Sequence, residues 1–131
     1  MLNIPFIRES WIPKLRSGEI KQGNTYLHKK NTETDESAMC CLGVAYEAIP
    51  DKQWIPYEHW HEDGSTTYIT QPGCNTGYLD VKTKEFIGIT HDHERILVDL
   101  NDNQKKDFNH IADVLESWCN LQEMHAAAQP E

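Results

Sequence analysis

The stretch Ser37 to Pro50, "SAMCCLGVAYEAIP", constrains this chain more than any other. Read as a helix over 38–49, it places Leu42, Tyr46 and Ile49 on one side and Cys41, Ala45 and Ala48 on another. A helix that is apolar nearly all round has no face to give to water, so it belongs in the interior and the other elements must wrap it. Ser37 is expected as its N-cap, Asp35 and Glu36 favour the positive end of its dipole, and Pro50 stops it. Gly43 in its middle costs about 1 kcal/mol relative to alanine. Its presence there predicts close approach of a neighbouring backbone.

The wrapping has to come from a short chain. The 131 residues suit one ordinary domain, 1–131, large enough to bury a core unaided. A first helix is expected between Pro5 and Ser17, with Ile7, Trp11 and Leu15 as its apolar stripe. Pro13 either kinks that helix or sits in the first turn of a shorter one capped by Ser10. Gly23 and Asn24 precede Thr25, Tyr26 and Leu27, which read as a short strand, and "KKNTETDESAM" reads as an exposed loop. Asp63-Gly64, between Trp60 and "TTYIT", is a hairpin-turn signal for a sheet of two to four strands. Residues 79–89 fit a strand or a short helix ended by Gly88. Asp107 caps an amphipathic helix over 107–121 that carries Phe108, Ile111, Leu115 and Trp118, and residues 125–131 read as a frayed tail. The expected fold is α+β: one domain, a buried central helix at 38–49, N- and C-terminal helices and a small, mainly antiparallel sheet.

Charge narrows the partners. Twelve Lys and Arg against twenty-one Asp and Glu give a formal charge of -9, which opposes attraction to nucleic-acid backbones and anionic lipid. No nucleic-acid or membrane partner is expected. "MLNIPFIRES" lacks the apolar run and cleavage pattern of a signal peptide, and no segment reaches the roughly 20 apolar residues of a membrane span. A soluble cytoplasmic protein is the expectation, with Cys40, Cys41, Cys74 and Cys119 as free thiols.

Three groups of residues could carry chemistry. Adjacent helical cysteines point about 100° apart, which is wrong for a shared zinc ion, and Cys41 reads as core packing. Cys40, near a helix N-terminus, is the candidate reactive thiol. His59 and His61, and His91 and His93, are spaced so that each pair would share a face of a strand and could bind a divalent metal beside Glu58, Glu62, Asp63, Asp92 or Glu94. Exposed polar loops are the plainer reading of both pairs in a chain with seven histidines. Arg8, Lys14, Arg16, Lys21, Lys29 and Lys30 crowd cations into the first segment, where Trp11 or Tyr26 could offer a stacking face to a small anionic ligand. A solvated helix face explains them too. Asn101-Asp102 is turn and capping chemistry that could also hold a phosphate at the following helix.

Three stretches, "LRSGEIKQG" at 15–23, "CCLGVAYE" at 40–47 and "LNDNQKKDFNHIADVLE" at 100–116, together resemble small proteins carried by bacteriophages and prophages. Their order and spacing cover most of the chain, although Pro13 and Ala45-Tyr46 depart from the pattern and residues 51–99 match poorly. The resemblance implies a phage-type accessory protein in a bacterial host cytoplasm and carries no defined activity. The expectation is a non-enzymatic binding protein that acts against host defence by sequestering a small nucleotide-like signal, without a cofactor. Its expected ligand residues are Arg8, Trp11, Arg16, Lys21, Gln22, Tyr26, Asn101 and Asp102. A metal-dependent hydrolase built on the four histidines, and an acidic decoy that binds a host protein, are the alternatives. A symmetric homo-oligomer with a pocket between subunits is compatible with either binding role.

Overall fold

The computed structural model describes residues 1–57 and 61–128. Its centre is the short helix α3, Cys41–Glu47, in which every residue from Cys41 to Tyr46 is buried. The helix starts three residues later than its N-cap signal suggests, because Ser37–Met39 is drawn into a strand, β2. There its backbone pairs with β1, His28–Asn31, in the register His28↔Met39. A ladder of backbone hydrogen bonds outweighs one capping bond. Cys40, not Ser37, therefore occupies the N-cap position, with an extended backbone. The segment read as an exposed loop is thus two strands joined by a turn, and Thr25 to Leu27 lead into β1 without belonging to it.

Gly43 meets the expected close approach. A Cβ on it would overlap the backbone carbonyl of Leu27, so only glycine lets α3 lie against this segment. The Tyr26 carbonyl accepts from Cys40 N–H at 3.3 Å, tying the same two segments together.

β3, Ile55–Tyr57, and β4, Ser65–Ile69, complete an antiparallel sheet in the order β2-β1-β4-β3. Along β4, Ser65, Thr67 and Ile69 are buried while Thr66 and Tyr68 are half-buried, the alternation of a strand with one face on the core. Gly64 takes a φ of 76° in the turn before β4, and its N–H reaches the carbonyl of His61 at 3.0 Å.

The N-terminal segment is helical from 4 to 16 in three pieces: α1, Ile4–Phe6, a π turn, Ile7–Trp11, and α2, Ile12–Arg16. Pro13 explains the middle piece. Proline has no N–H and its ring collides with the carbonyl four residues back in an α-helix. The wider π turn just before it, closed by Ile12 N–H to the Ile7 carbonyl, takes up that mismatch. Ile7, Trp11 and Leu15 are all buried, so the expected stripe survives, and no shorter helix begins at Ser10.

The second half is helical. Asp80 caps α4, Val81–Ile87, by accepting from Thr83 N–H at 3.0 Å, and Gly88 ends it in the left-handed conformation. α5, His91–Val98, continues into a second π turn, Asp99–Asn103. Asp107 caps α6, Phe108–Ala128, accepting from His110 N–H at 2.8 Å. The helix runs through 125–128, where fraying was expected, and 129–131 lie outside the described residues. α6 packs on α2. One hydrophobic cluster joins Leu2, Trp11, Leu42, Ile87, Leu97 and Leu115, so helices from both halves share one core with α3. The observed class is α+β in a single domain. Among the described residues no helix is long and apolar enough to cross a membrane.

Candidate functional site

Asn101 sits in the second π turn and is 3% exposed. Its Oδ1 accepts from Cys41 N–H at 3.2 Å and from Gln22 Nε2 at 2.9 Å. Its Nδ2 donates to the Gly23 carbonyl and to Asp102 Oδ1, both at 2.8 Å. Two donated and two accepted bonds satisfy a carboxamide completely. Gln22 Nε2 also donates to the Lys106 carbonyl at 2.8 Å. The three stretches of "LRSGEIKQG", "CCLGVAYE" and "LNDNQKKDFNHIADVLE", far apart in the chain, thus meet on one buried amide.

This junction forms one wall of an open cleft of about 320 Å³, lined by Gln22, Gly23, Asn24, Asn101 and Lys105. Lys105, in the lining, and Thr25, which follows Asn24 in the chain, both hold left-handed backbone, with φ of 53° and 72°. For a β-branched threonine that conformation is strained and needs support from its surroundings. Lys105 Nζ lies 3.5 Å from the Asp102 carbonyl, and no carboxylate among the described residues pairs with it. The cleft therefore combines amides whose orientation is set by the junction with one available cation.

The cysteines stand beside this wall but face inward. Cys40 is 5% exposed, and burial pushes its thiol up to about 12, more than the nearby N–H groups of Gly43 and Leu42 lower it. The Asp102 carboxylate disfavours a thiolate as well. Cys41 is fully buried, its thiol also raised, and its Sγ–H donates to the Leu97 carbonyl at 3.7 Å. Core packing, not nucleophilicity, is what this arrangement supplies.

The structure does not gather the expected cationic ligand group. Arg8 is held by Glu116 at 2.9 Å and Glu123 at 2.7 Å, and Arg16 by Asp113 at 2.6 Å, all on α6. Trp11 is wholly buried and its indole N–H donates to the Cys41 carbonyl at 3.1 Å, so it stacks on nothing from solvent. Lys29 pairs with Asp63 and lies over the Tyr26 ring, 5.5 Å from its centroid, which occupies the face that stacking would need. Lys21 lines a different groove, of about 220 Å³, with Asn31, Glu36 and Asp63. Of the eight expected residues, Gln22, Asn101 and Asp102 come together; Arg8, Trp11, Arg16, Lys21 and Tyr26 lie elsewhere.

Nor do the histidines converge as a strand would arrange them. His91 and His93 occupy the first turn of α5, where residues two apart diverge by about 200° around the helix. His93 Nδ1 accepts from Thr90 N–H at 3.0 Å in a capping box, and its ring lies 4.8 Å from Trp118. His61 rests edge-on against Tyr26, 5.6 Å away, and His59 lies outside the described residues. No group of three or more His, Cys, Asp or Glu side chains among the described residues could hold a metal ion.

Sequence reading missed a larger groove of about 820 Å³ beside α5 and the second π turn. Tyr78, Asp92, Arg95, Ile96, Asp99 and Asn103 line it. Its one sequence signal was an isoleucine, Ile96, that falls off the buried stripe of its helix.

No curated protein and no solved structure matches the chain. A family described as a domain of unknown function, DUF8296, matches residues 4–119, a span that contains every partner in the Asn101 junction, and the chain belongs to that family.

Proposed function

We propose that this is a non-enzymatic binding protein that holds a small anionic, nucleotide-like ligand in the cleft between residues 22–24 and 101–105. The observation that carries the reading is the saturated Asn101 junction. It fixes the shape of one wall in advance, its amide groups being bonded within the fold, so that the charge available to a phosphate is that of Lys105 beside it. A preformed pocket with a few convergent polar groups is what binding without chemistry requires. At about 320 Å³ the cleft is at the small end of ligand pockets, which suits a mononucleotide. The buried, protonated state of Cys40 supports binding over nucleophilic catalysis. Together with the resemblance to phage-carried proteins, the proposed role is to sequester such a signal in the cytoplasm of a bacterial host.

A thermal-shift screen against linear and cyclic mononucleotides tests this. Stabilisation by at least one member is expected at concentrations well above micromolar, since a ligand at 100 times its Kd stabilises by about 2.7 kcal/mol. Lys105→Glu should abolish the shift, whereas Lys21→Glu, in the other groove, should leave it. No shift with any nucleotide, or equal loss in both variants, would refute the reading.

A further inference from the structure

The larger groove has a different character from the cleft. Ile96 is 48% exposed and Tyr78 39% exposed, large apolar surface for positions beside a helix whose Leu97 is fully buried. Asp99 lies in the same groove, its carboxylate accepting from Asn103 Nδ2 at 2.8 Å and Gln104 Nε2 at 2.6 Å. Those two amides aim the group and hold its pKa below the ordinary value, while no cation among the described residues pairs with it. Asp92 is 85% exposed and pairs at 3.9 Å with Arg95, which also lines the groove, so the lining carries two carboxylates against one guanidinium and Asp99 is the one left without a cation among the described residues.

We propose that this groove is a docking surface for a segment of a partner protein that presents a lysine or arginine between apolar side chains. Charge decides the occupant. A purely apolar segment laid over Ile96 and Tyr78 would strip water from the Asp99 carboxylate and give nothing back, which is costly for a charge. A basic side chain supplies the missing partner while its neighbours cover the isoleucine and tyrosine. Nucleic acid and anionic lipid carry the sign that the -9 chain repels, and a second copy of the chain carries it as well. A groove of about 820 Å³ has room for several side chains. The groove shares no lining residue with the cleft, and Ile96 stands on α5 rather than on the π turn that carries Asn101, so its variant keeps this test apart from that of the ligand.

Fluorescence anisotropy of a labelled synthetic peptide of Leu, Phe and Lys, against its counterpart with Glu for every Lys, reads this directly. The Lys peptide should bind and the Glu peptide should not. Asp99→Asn and, separately, Ile96→Ser should each weaken binding by about tenfold or more, equivalent to about 1.4 kcal/mol. Glu9→Gln, the same charge change at an exposed position on the first π turn, should leave it unchanged. Ile96 is exposed, so its variant keeps the fold even if loss of the Asp99 carboxylate loosens the turn. Equal weakening by Glu9→Gln and Asp99→Asn would reduce the effect to net charge and overturn the proposal. So would unchanged binding in Ile96→Ser, or wild-type dimers that Ile96→Ser converts to monomers.

Discussion

Asn101 shows how little a residue's neighbours in sequence say about its work. In the chain it reads as a turn former; in the fold it is a four-bonded knot among segments 60 to 79 residues away. Asn101→Ala would strand the Cys41 N–H and the Gly23 carbonyl, and a loss on the order of 2–4 kcal/mol is expected in chemical denaturation. Asn101→Asp should also destabilise, because a carboxylate cannot donate to Gly23 and faces Asp102. Gly43 is the opposite case, legible because its cost had to be offset. Gly43→Ala gains about 1 kcal/mol of helix propensity but drives a methyl into the Leu27 carbonyl. The net expectation is a loss of about 3 kcal/mol or more, read as a lowered Tm. The thiols give a third outcome. Iodoacetamide at neutral pH should label half-buried Cys74 in the native protein and spare Cys40, Cys41 and Cys119, with all four labelled after denaturation.

At the scale of elements, local signals identified the helices better than the strands, for 29–39 reads as a loop but holds two strands, and Thr25 to Leu27 read as a strand but form none. The caps at Asp107 and Gly88 were readable because a cap satisfies backbone groups within a few residues of itself. The start of α3 was not, because the pull on Ser37–Met39 comes from a strand partner, which no local window contains. β1 carries a further consequence. His28 stacks on Tyr68 of β4 at 4.5 Å and meets Trp54 edge-on at 4.9 Å. Burial among these rings lowers its pKa, against a smaller opposing pull from Glu47. The folded state then binds fewer protons than the unfolded one, so stability rises with pH across this titration. The contribution is complete above the ordinary histidine value of about 6.5 and is lost as pH falls from there through the folded value. A Tm measured against pH should decline on that acid side, and His28→Phe should flatten part of the decline. His93, lowered in the same sense by burial, accounts for another part.

The whole molecule has one core, and α6 closes it through packing on α2 and ion pairs to Arg8 and Arg16. Far-UV circular dichroism and tryptophan fluorescence should therefore report a single, coincident thermal transition; separated midpoints would show that the sheet and the helices unfold independently. The same ion pairs explain why the expected cationic site dissolved: a cluster of basic residues counted along a chain says nothing about which carboxylates fold back onto it. By itself the sequence determined the α+β class, the burial of the segment around residues 41–46, the demand for glycine at 43, and the acid excess, since each follows from periodicity, composition or local backbone chemistry. Only the tertiary structure decided that Gln22, Cys41 and Asn101 meet, that Arg8 and Arg16 are occupied, and that a groove opens beside Asp99. Those are matters of which distant groups neutralise, bond or cover one another, and that choice is made when the core closes.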